Sequence, residues 1–194
     1  MKVSIVFHSV CGNTYLIAKE IHKNFLKRGI ETKLYRIEDK QAKDIAKYIP
    51  TAKEYFDEIM DLPKASLEKI IQSDYIFLGS PTYFGNVSGQ MKLFMDSFSP
   101  LWSDSVLYGK KLISFTTCGQ KEGGGESCLK SINTFGNHLG MVSIPIPTNI
   151  IENNGTSSYG LIHCSGENSK IRIEEHFKNL ISNFVDLLIK NDMN

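Results

Sequence analysis

The stretch Gly79–Asp96, "GSPTYFGNVSGQMKLFMD", changes character halfway along. Its start continues the apolar run "YIFLGSP", which reads as a buried strand. From Ser88 or Gly89 to Phe98 the chain reads as a helix, because Met91, Phe94, Met95 and Phe98 share one face. Between the two lie Tyr83, Phe84, Gly85 and Asn86. Aromatic rings are unexpected there, since turn residues are ordinarily small and polar. A strand that ends in such a loop and feeds a helix is the repeating unit of a parallel α/β sheet. In those sheets ligands sit beyond the carboxyl ends of the strands.

The rest of the chain repeats this unit. Val3–Phe7 is a short β-rich apolar run, followed by turn chemistry from Ser9 to Thr14 and a helix with Ile17, Ala18, Ile21 and Phe25 in phase. If that turn is an ordinary capped one, Thr14 or Asn13 is its N-cap. Gly29 stops that helix, and "ETKLYRI" reads as the second strand. A charged insertion at about 38–64, with a breaker at Pro50, reads as one or two short helices. After "YIFLGSP" come a fourth strand, "KKLISFTTC", a helix from Ser127 to His138, and a fifth strand, "MVSIPIP". A long loop rich in Asn, Gly and Ser is expected at about 148–169, before a final helix carrying Phe177, Leu180, Ile181, Phe184 and Leu188. Near-continuous apolar strands alternating with helices imply a doubly wound parallel sheet covered on both faces. Five strands fit the order 2-1-3-4-5, as a single domain over residues 1–194, with the ligand crevice between strands 1 and 3.

Composition narrows the function. The 194 residues carry a net charge of +1, so no strong pull toward nucleic acid is expected. No run reaches the length of a membrane span, and the N-terminus lacks the layout of a signal peptide. The four cysteines, Cys11, Cys118, Cys128 and Cys164, form no CxxC pair, so no metal site is indicated. They read as free thiols of a cytoplasmic protein.

Three loops gather at the strand ends. "HSVCGNTYLIA" offers backbone amides from Cys11 to Thr14 at a helix N-terminus, where an anion is favoured. Ser9 and Thr14 add hydroxyls and Asn13 an amide, while Gly12 permits close backbone approach. The lysine of a P-loop is missing, and so is the GxGxxG pattern, which suits one terminal phosphate better than a triphosphate. An ordinary capped turn is the plainer alternative for this loop. "SPTYFGN" forms the facing wall: Pro81 aims the turn, amides from Thr82 to Asn86 suit the edge of a planar heterocycle, and Tyr83 and Phe84 suit its face. They also suit a simple cover for the sheet end. "TTCGQKEGGGES" adds the hydroxyls of Thr116 and Thr117 and the amides of Gly119 and Gln120.

Taken together with "LW…LYGK" and "HLGMVSIPI", these segments closely resemble the WrbA-type branch of the flavodoxin-like proteins, from Met1 to about Pro147. Those are FMN-containing NAD(P)H:quinone oxidoreductases. The resemblance implies FMN as cofactor, NADH or NADPH as reductant, a quinone-like acceptor and a two-electron ping-pong cycle. It implies that Ser9, Val10, Cys11, Gly12, Asn13 and Thr14 hold the FMN phosphate. Pro81, Thr82, Tyr83, Phe84, Gly85 and Asn86 would line the flavin ring. Thr116, Thr117, Cys118, Gly119 and Gln120 would bond its pyrimidine side, where amides stabilise developing negative charge. His138 and Trp102 match a histidine and a substrate-contacting tryptophan of the family, His138 as proton donor. The family usually forms tetramers, so a homodimer or homotetramer is implied, with His138 and Trp102 serving a neighbouring subunit. Tyr83 stands where the family commonly has an arginine, and Leu139 where it has a second histidine. A flavodoxin-type electron carrier and an NAD(P)H-dependent FMN reductase are the alternatives. A carrier would be more acidic than this chain.

Overall fold

A computed structural model describes residues 1–151 and 156–192. The strands are β1 (Lys2–Phe7), β2 (Glu31–Arg36), β3 (Tyr75–Tyr83), β4 (Asn86–Val87), β5 (Lys111–Cys118), β6 (Val142–Ser143) and β7 (Leu161–Cys164). The long helices are α1 (Asn13–Lys27), α6 (Gly89–Asp96), α7 (Gly125–His138) and α9 (Glu175–Asp192). Four short helices, α2 (Ala42–Tyr48), α3 (Pro50–Lys53), α4 (Phe56–Asp61) and α5 (Leu67–Ile70), follow β2, and α8 (Thr148–Ile151) precedes β7.

The main sheet is parallel and runs β2-β1-β3-β5-β6, with β7 also paired to β5. Side chains alternate across it. Ile5, Phe7, Phe77 and Phe115 pack toward α1 and α9, among Ile17, Phe25 and Phe184. Val6, Ile76, Leu78 and Leu112 pack toward α6 and α7, among Met91 and Ile132. Helices on both faces of a parallel sheet give the flavodoxin-like arrangement that the alternation of strands and helices implies.

Two expectations change. Among the described residues seven strands stand in place of the expected five: the fifth position is divided between β6 and β7, and β4 is added. β6 pairs only with Lys111–Leu112, and β7 pairs with Phe115–Cys118 further along the same edge. The edge pairing lapses after Ile144, whose amide reaches Leu112 O at 2.8 Å. Pro145 and Pro147 have no amide hydrogen to continue a ladder. The chain departs through α8 and returns as β7, so the edge strand resumes inside the stretch expected to be a loop. Residues 152–155 of that stretch lie outside the described residues. The second change is β4. Asn86–Val87 pairs antiparallel with Thr82–Tyr83, so "TYFGNV" is a hairpin rather than a simple turn.

Candidate functional site

A cavity of about 440 Å³ opens at the carboxyl ends of β1, β3 and β5. It is lined by Ser9, Val10, Cys11, Asn13 and Thr14 after β1, by Pro81, Thr82 and Tyr83 at the end of β3, and by Thr117, Cys118, Gly119, Gln120 and Gly123 after β5. Ser165 to Ser169, which follow β7, close the remaining side.

The loop after β1 presents unsatisfied donors. Gly12 is the N-cap of α1 with φ +84°, and no side chain caps the helix. The alternative of an ordinary turn capped by Thr14 or Asn13 is therefore not what forms. Thr14 Oγ1 is instead 2.9 Å from Thr117 Oγ1, tying α1 to β5. Asn13 Nδ2 donates to Ser169 O at 2.8 Å. The first amides of a helix have no intrahelical acceptor, so those of α1 remain for a ligand. Ser9 Oγ and Asn13 Oδ1 are buried without a protein partner. A buried hydroxyl left unpaired costs free energy unless a ligand or water completes it. Uncapped amides, an orphaned hydroxyl and a cavity of this size fit a phosphate-bearing planar cofactor such as FMN.

Arg172 braces this loop from outside. Its guanidinium donates to Cys11 O at 2.8 Å and to Ser169 O at 3.1 Å, pairs with Glu54 and lies over the Tyr55 ring at 5.0 Å. The insertion after β2 thus supports the loop rather than standing apart from it. On the other side of β1, His8 Nε2 lies 3.1 Å from Asp39 Oδ2, with both side chains buried. That contact, ahead of all other causes, holds the Asp39 carboxyl below its ordinary range.

Tyr83 lines the cavity yet stays partly exposed, with Cys11 and Asp39 near enough to act on its phenol. Burial, reinforced by those two groups, pushes its phenol up to about 12. At neutral pH it is therefore an O–H donor.

Five expected residues do not line the cavity. Gly12 is covered by Tyr55. Thr116 faces the opposite side of the sheet, where its hydroxyl donates to Ser80 O at 2.7 Å and meets Thr82 Oγ1 at 2.8 Å. Phe84, Gly85 and Asn86 are carried outward by the hairpin. Phe84 is fully exposed and adopts φ +51°, with Gly85 at φ +74°. Positive φ at both central residues is the signature of a type I′ hairpin turn, where phenylalanine is out of place.

His138 and Trp102 come together, but elsewhere. They line a shallow cavity with Phe98, Phe135 and Leu139. His138 is the last residue of α7, whose first residue, Gly125, lies against Cys118. Fourteen helical residues span about 21 Å, so His138 lies at the far end of the helix from the main cavity. Neither residue lines the main cavity.

Sequence reasoning missed Gly123 and the Ser165–Ser169 wall. The available signal was the apolar "LIHC" followed by turn-rich "SGENS", which is itself a strand-to-loop junction.

Comparison with known proteins agrees with this architecture. The chain is 32% identical over 173 residues to a protein of Geobacter sulfurreducens named NAD(P)H dehydrogenase (quinone), covering 86% of this chain and 85% of that one. A protein of the same name from Methanosarcina barkeri is 29% identical over 151 residues, covering 76% and 73%. In fold the chain resembles a WrbA-like flavodoxin of Agrobacterium tumefaciens, with a TM-score of 0.64 at 16% identity over 97% of this chain and 98% of that one. It also resembles oxidised flavodoxin 2 of Bacillus cereus, with a TM-score of 0.65 at 18% identity over 98% and 99%. Residues 1–155 match the model of the family described as NADPH-dependent FMN reductase, and the chain belongs to that family.

Proposed function

We propose that this protein is an FMN-dependent NAD(P)H:quinone oxidoreductase. Membership of the FMN reductase family and the curated relatives named NAD(P)H dehydrogenase (quinone) support this reading. The observation that carries it is the loop after β1, with an uncapped helix start and the orphaned Ser9 hydroxyl beside a cavity at the strand ends. FMN, when bound, supplies the two-electron chemistry that links a nicotinamide donor to a quinone acceptor.

The chain's own residues bind and orient. Ser9 and the amides from Val10 to Thr14 would hold the phosphate. Thr117 to Gln120 would supply donors to the polar edge of the ring, where amides stabilise negative charge. Pro81 to Tyr83 form the facing wall, with the Tyr83 hydroxyl available as a donor.

His138 and Trp102 act across a subunit contact. Trp102 is exposed, and so are Phe84, Leu93 and Tyr108, which favours a homo-oligomer. No helix among the described residues is long and apolar enough to cross a membrane. Free thiols at four positions favour the cytoplasm.

The test is an absorbance spectrum of the purified protein, then anaerobic addition of NADH and steady-state kinetics with benzoquinone. A flavin spectrum bleached by NADH, with parallel double-reciprocal lines, is expected. A colourless protein that fails to bind added FMN overturns the reading.

A further inference from the structure

Cys118 and Cys164 end two neighbouring strands in the same register, directly opposite one another across β5 and β7. Opposed residues of paired strands point to the same face. The spacing between strands, about 4.8 Å, lies inside the Cα separation that a disulfide spans. The register alone therefore places the two side chains side by side at the strand ends. Each also approaches the other's strand: Cys118 Sγ is 4.0 Å from His163 O, and Cys164 Sγ is 3.7 Å from Gly119 O.

The pair is asymmetric. Cys118 is buried and Cys164 is exposed. Burial first, and Cys164 next, push the Cys118 thiol up to about 12. Cys118 is therefore the protected thiol of the pair, donating toward His163 O, and Cys164 is the sulfur that solvent reaches. An exposed sulfur beside a protected partner is the arrangement of an oxidisable cysteine with its resolving thiol. Cys128 competes less well. It is buried on α7 and its Sγ lies 3.4 Å from Thr116 Oγ1.

We infer that Cys118 and Cys164 form a reversible dithiol–disulfide site, oxidised by hydroperoxides. The Cys164 sulfur attacks one peroxide oxygen and the O–O bond breaks, which leaves a sulfenic acid and one water, or one alcohol where the oxidant is an organic hydroperoxide. The Cys118 sulfur then attacks the Cys164 sulfur. The S–S bond forms as the S–O bond breaks, and the hydroxide departs with the Cys118 proton as water. Two electrons pass from the two sulfurs to the peroxide oxygens. A small dithiol returns both electrons with two protons. The bond would tie the Thr117–Gln120 wall of the main cavity to the Ser165–Ser169 wall, which already share a 2.8 Å bond from the Ser165 amide to Cys118 O. The chemistry needs neither FMN nor a reductase activity, so its test stands apart from the proposed function.

The full chain, purified in the reduced state, is treated with hydrogen peroxide, alkylated and digested with trypsin. Lys19, Lys111, Lys121 and Lys130 place the four cysteines on separate peptides. The expected product is a cross-linked peptide pair carrying Cys118 and Cys164, which dithiothreitol separates. Cys128→Ser still gives that product, and Cys164→Ser gives none. Mapping of the unaltered protein decides the matter even if a variant fails to fold. The inference is overturned if Cys118 and Cys164 both stay alkylatable, if Cys164 advances to sulfinic acid without a cross-link, or if Cys118 joins Cys128 instead.

Discussion

Tyr55 lies directly over Gly12: a methyl group on that glycine would sit 2.2 Å from Tyr55 Cδ2. Gly12 also holds φ +84°, a conformation that L side chains rarely adopt. Steric room and backbone freedom are thus both required at the start of α1. Gly12→Ala is expected to cost about 1–3 kcal/mol in urea unfolding and to weaken FMN binding. Adding Tyr55→Ala relieves the contact but not the backbone strain, so the double variant recovers only part of the loss. Full recovery would show that φ at this position is unimportant.

Arg172 holds the Cys11 and Ser169 carbonyls from behind the same loop. Arg172→Gln is expected to weaken FMN binding by about tenfold, equivalent to one or two net hydrogen bonds. Fluorescence titration of the apoprotein with FMN reads this directly. Glu54→Gln leaves those two carbonyl contacts in place and should cost less. An equal loss in both variants would assign the effect to the Arg172–Glu54 pair.

Asp39 and His8 form a buried pair. The Asp39 carboxyl is held down chiefly by the hydrogen bond from His8, so its folded value lies below the ordinary 3.8. A depressed carboxylate stabilises the fold fully above its unfolded value and loses that contribution as pH falls through the folded one. Asp39→Asn is therefore expected to be less stable at pH 7 by about 2 kcal/mol, as for a buried hydrogen bond to a charged group. The gap between variant and wild type narrows below pH 3.8. Urea midpoints at pH 7 and in the acid range test this, and a gap independent of pH would rule it out.

Phe84 sits fully exposed at φ +51° in a two-residue hairpin turn. Asn-Gly is the preferred pair for such a turn. Phe84→Asn is expected to raise stability by about 0.5–1 kcal/mol while lowering quinone turnover. A variant both less stable and fully active would remove any functional reason for the strained ring.

His138 lies at the end of α7 away from the main cavity. His138→Ala is expected to leave FMN affinity unchanged and to lower quinone turnover in the assembled protein. Turnover per bound FMN falls as the wild type is diluted through subunit dissociation. Activity unaffected by both dilution and the substitution would exclude a role across subunits.

Much of the fold is legible from periodicity. Ile17, Ile21 and Phe25 mark α1, and Phe177, Leu180, Ile181, Phe184 and Leu188 mark α9, because a helix must bury one stripe. The divided edge strand is less legible. "LIHC" is only four residues long and follows a polar stretch, so its pairing depends on the open edge of β5 beyond Ser114. The cavity loops from β1, β3 and β5 are recognisable because turn chemistry follows each apolar run. The Ser165–Ser169 wall is not, since its place depends on β7.

The sequence alone determined the alternation of β1, β2, β3, β5 and β6 with helices, which faces are apolar, and that the loops after β1, β3 and β5 meet at the carboxyl ends of the sheet. Those properties follow from local periodicity and from the handedness of parallel crossovers. Only the tertiary structure decided that Thr117 rather than Thr116 faces Thr14, that Phe84 points to solvent, and that His138 and Trp102 lie away from the strand-end cavity. It alone brought Cys118 beside Cys164, 46 positions on in the numbering. The physical reason is that facing, register and reach are set by long-range pairing. A one-residue change in register reverses a side chain's face while leaving the local pattern untouched.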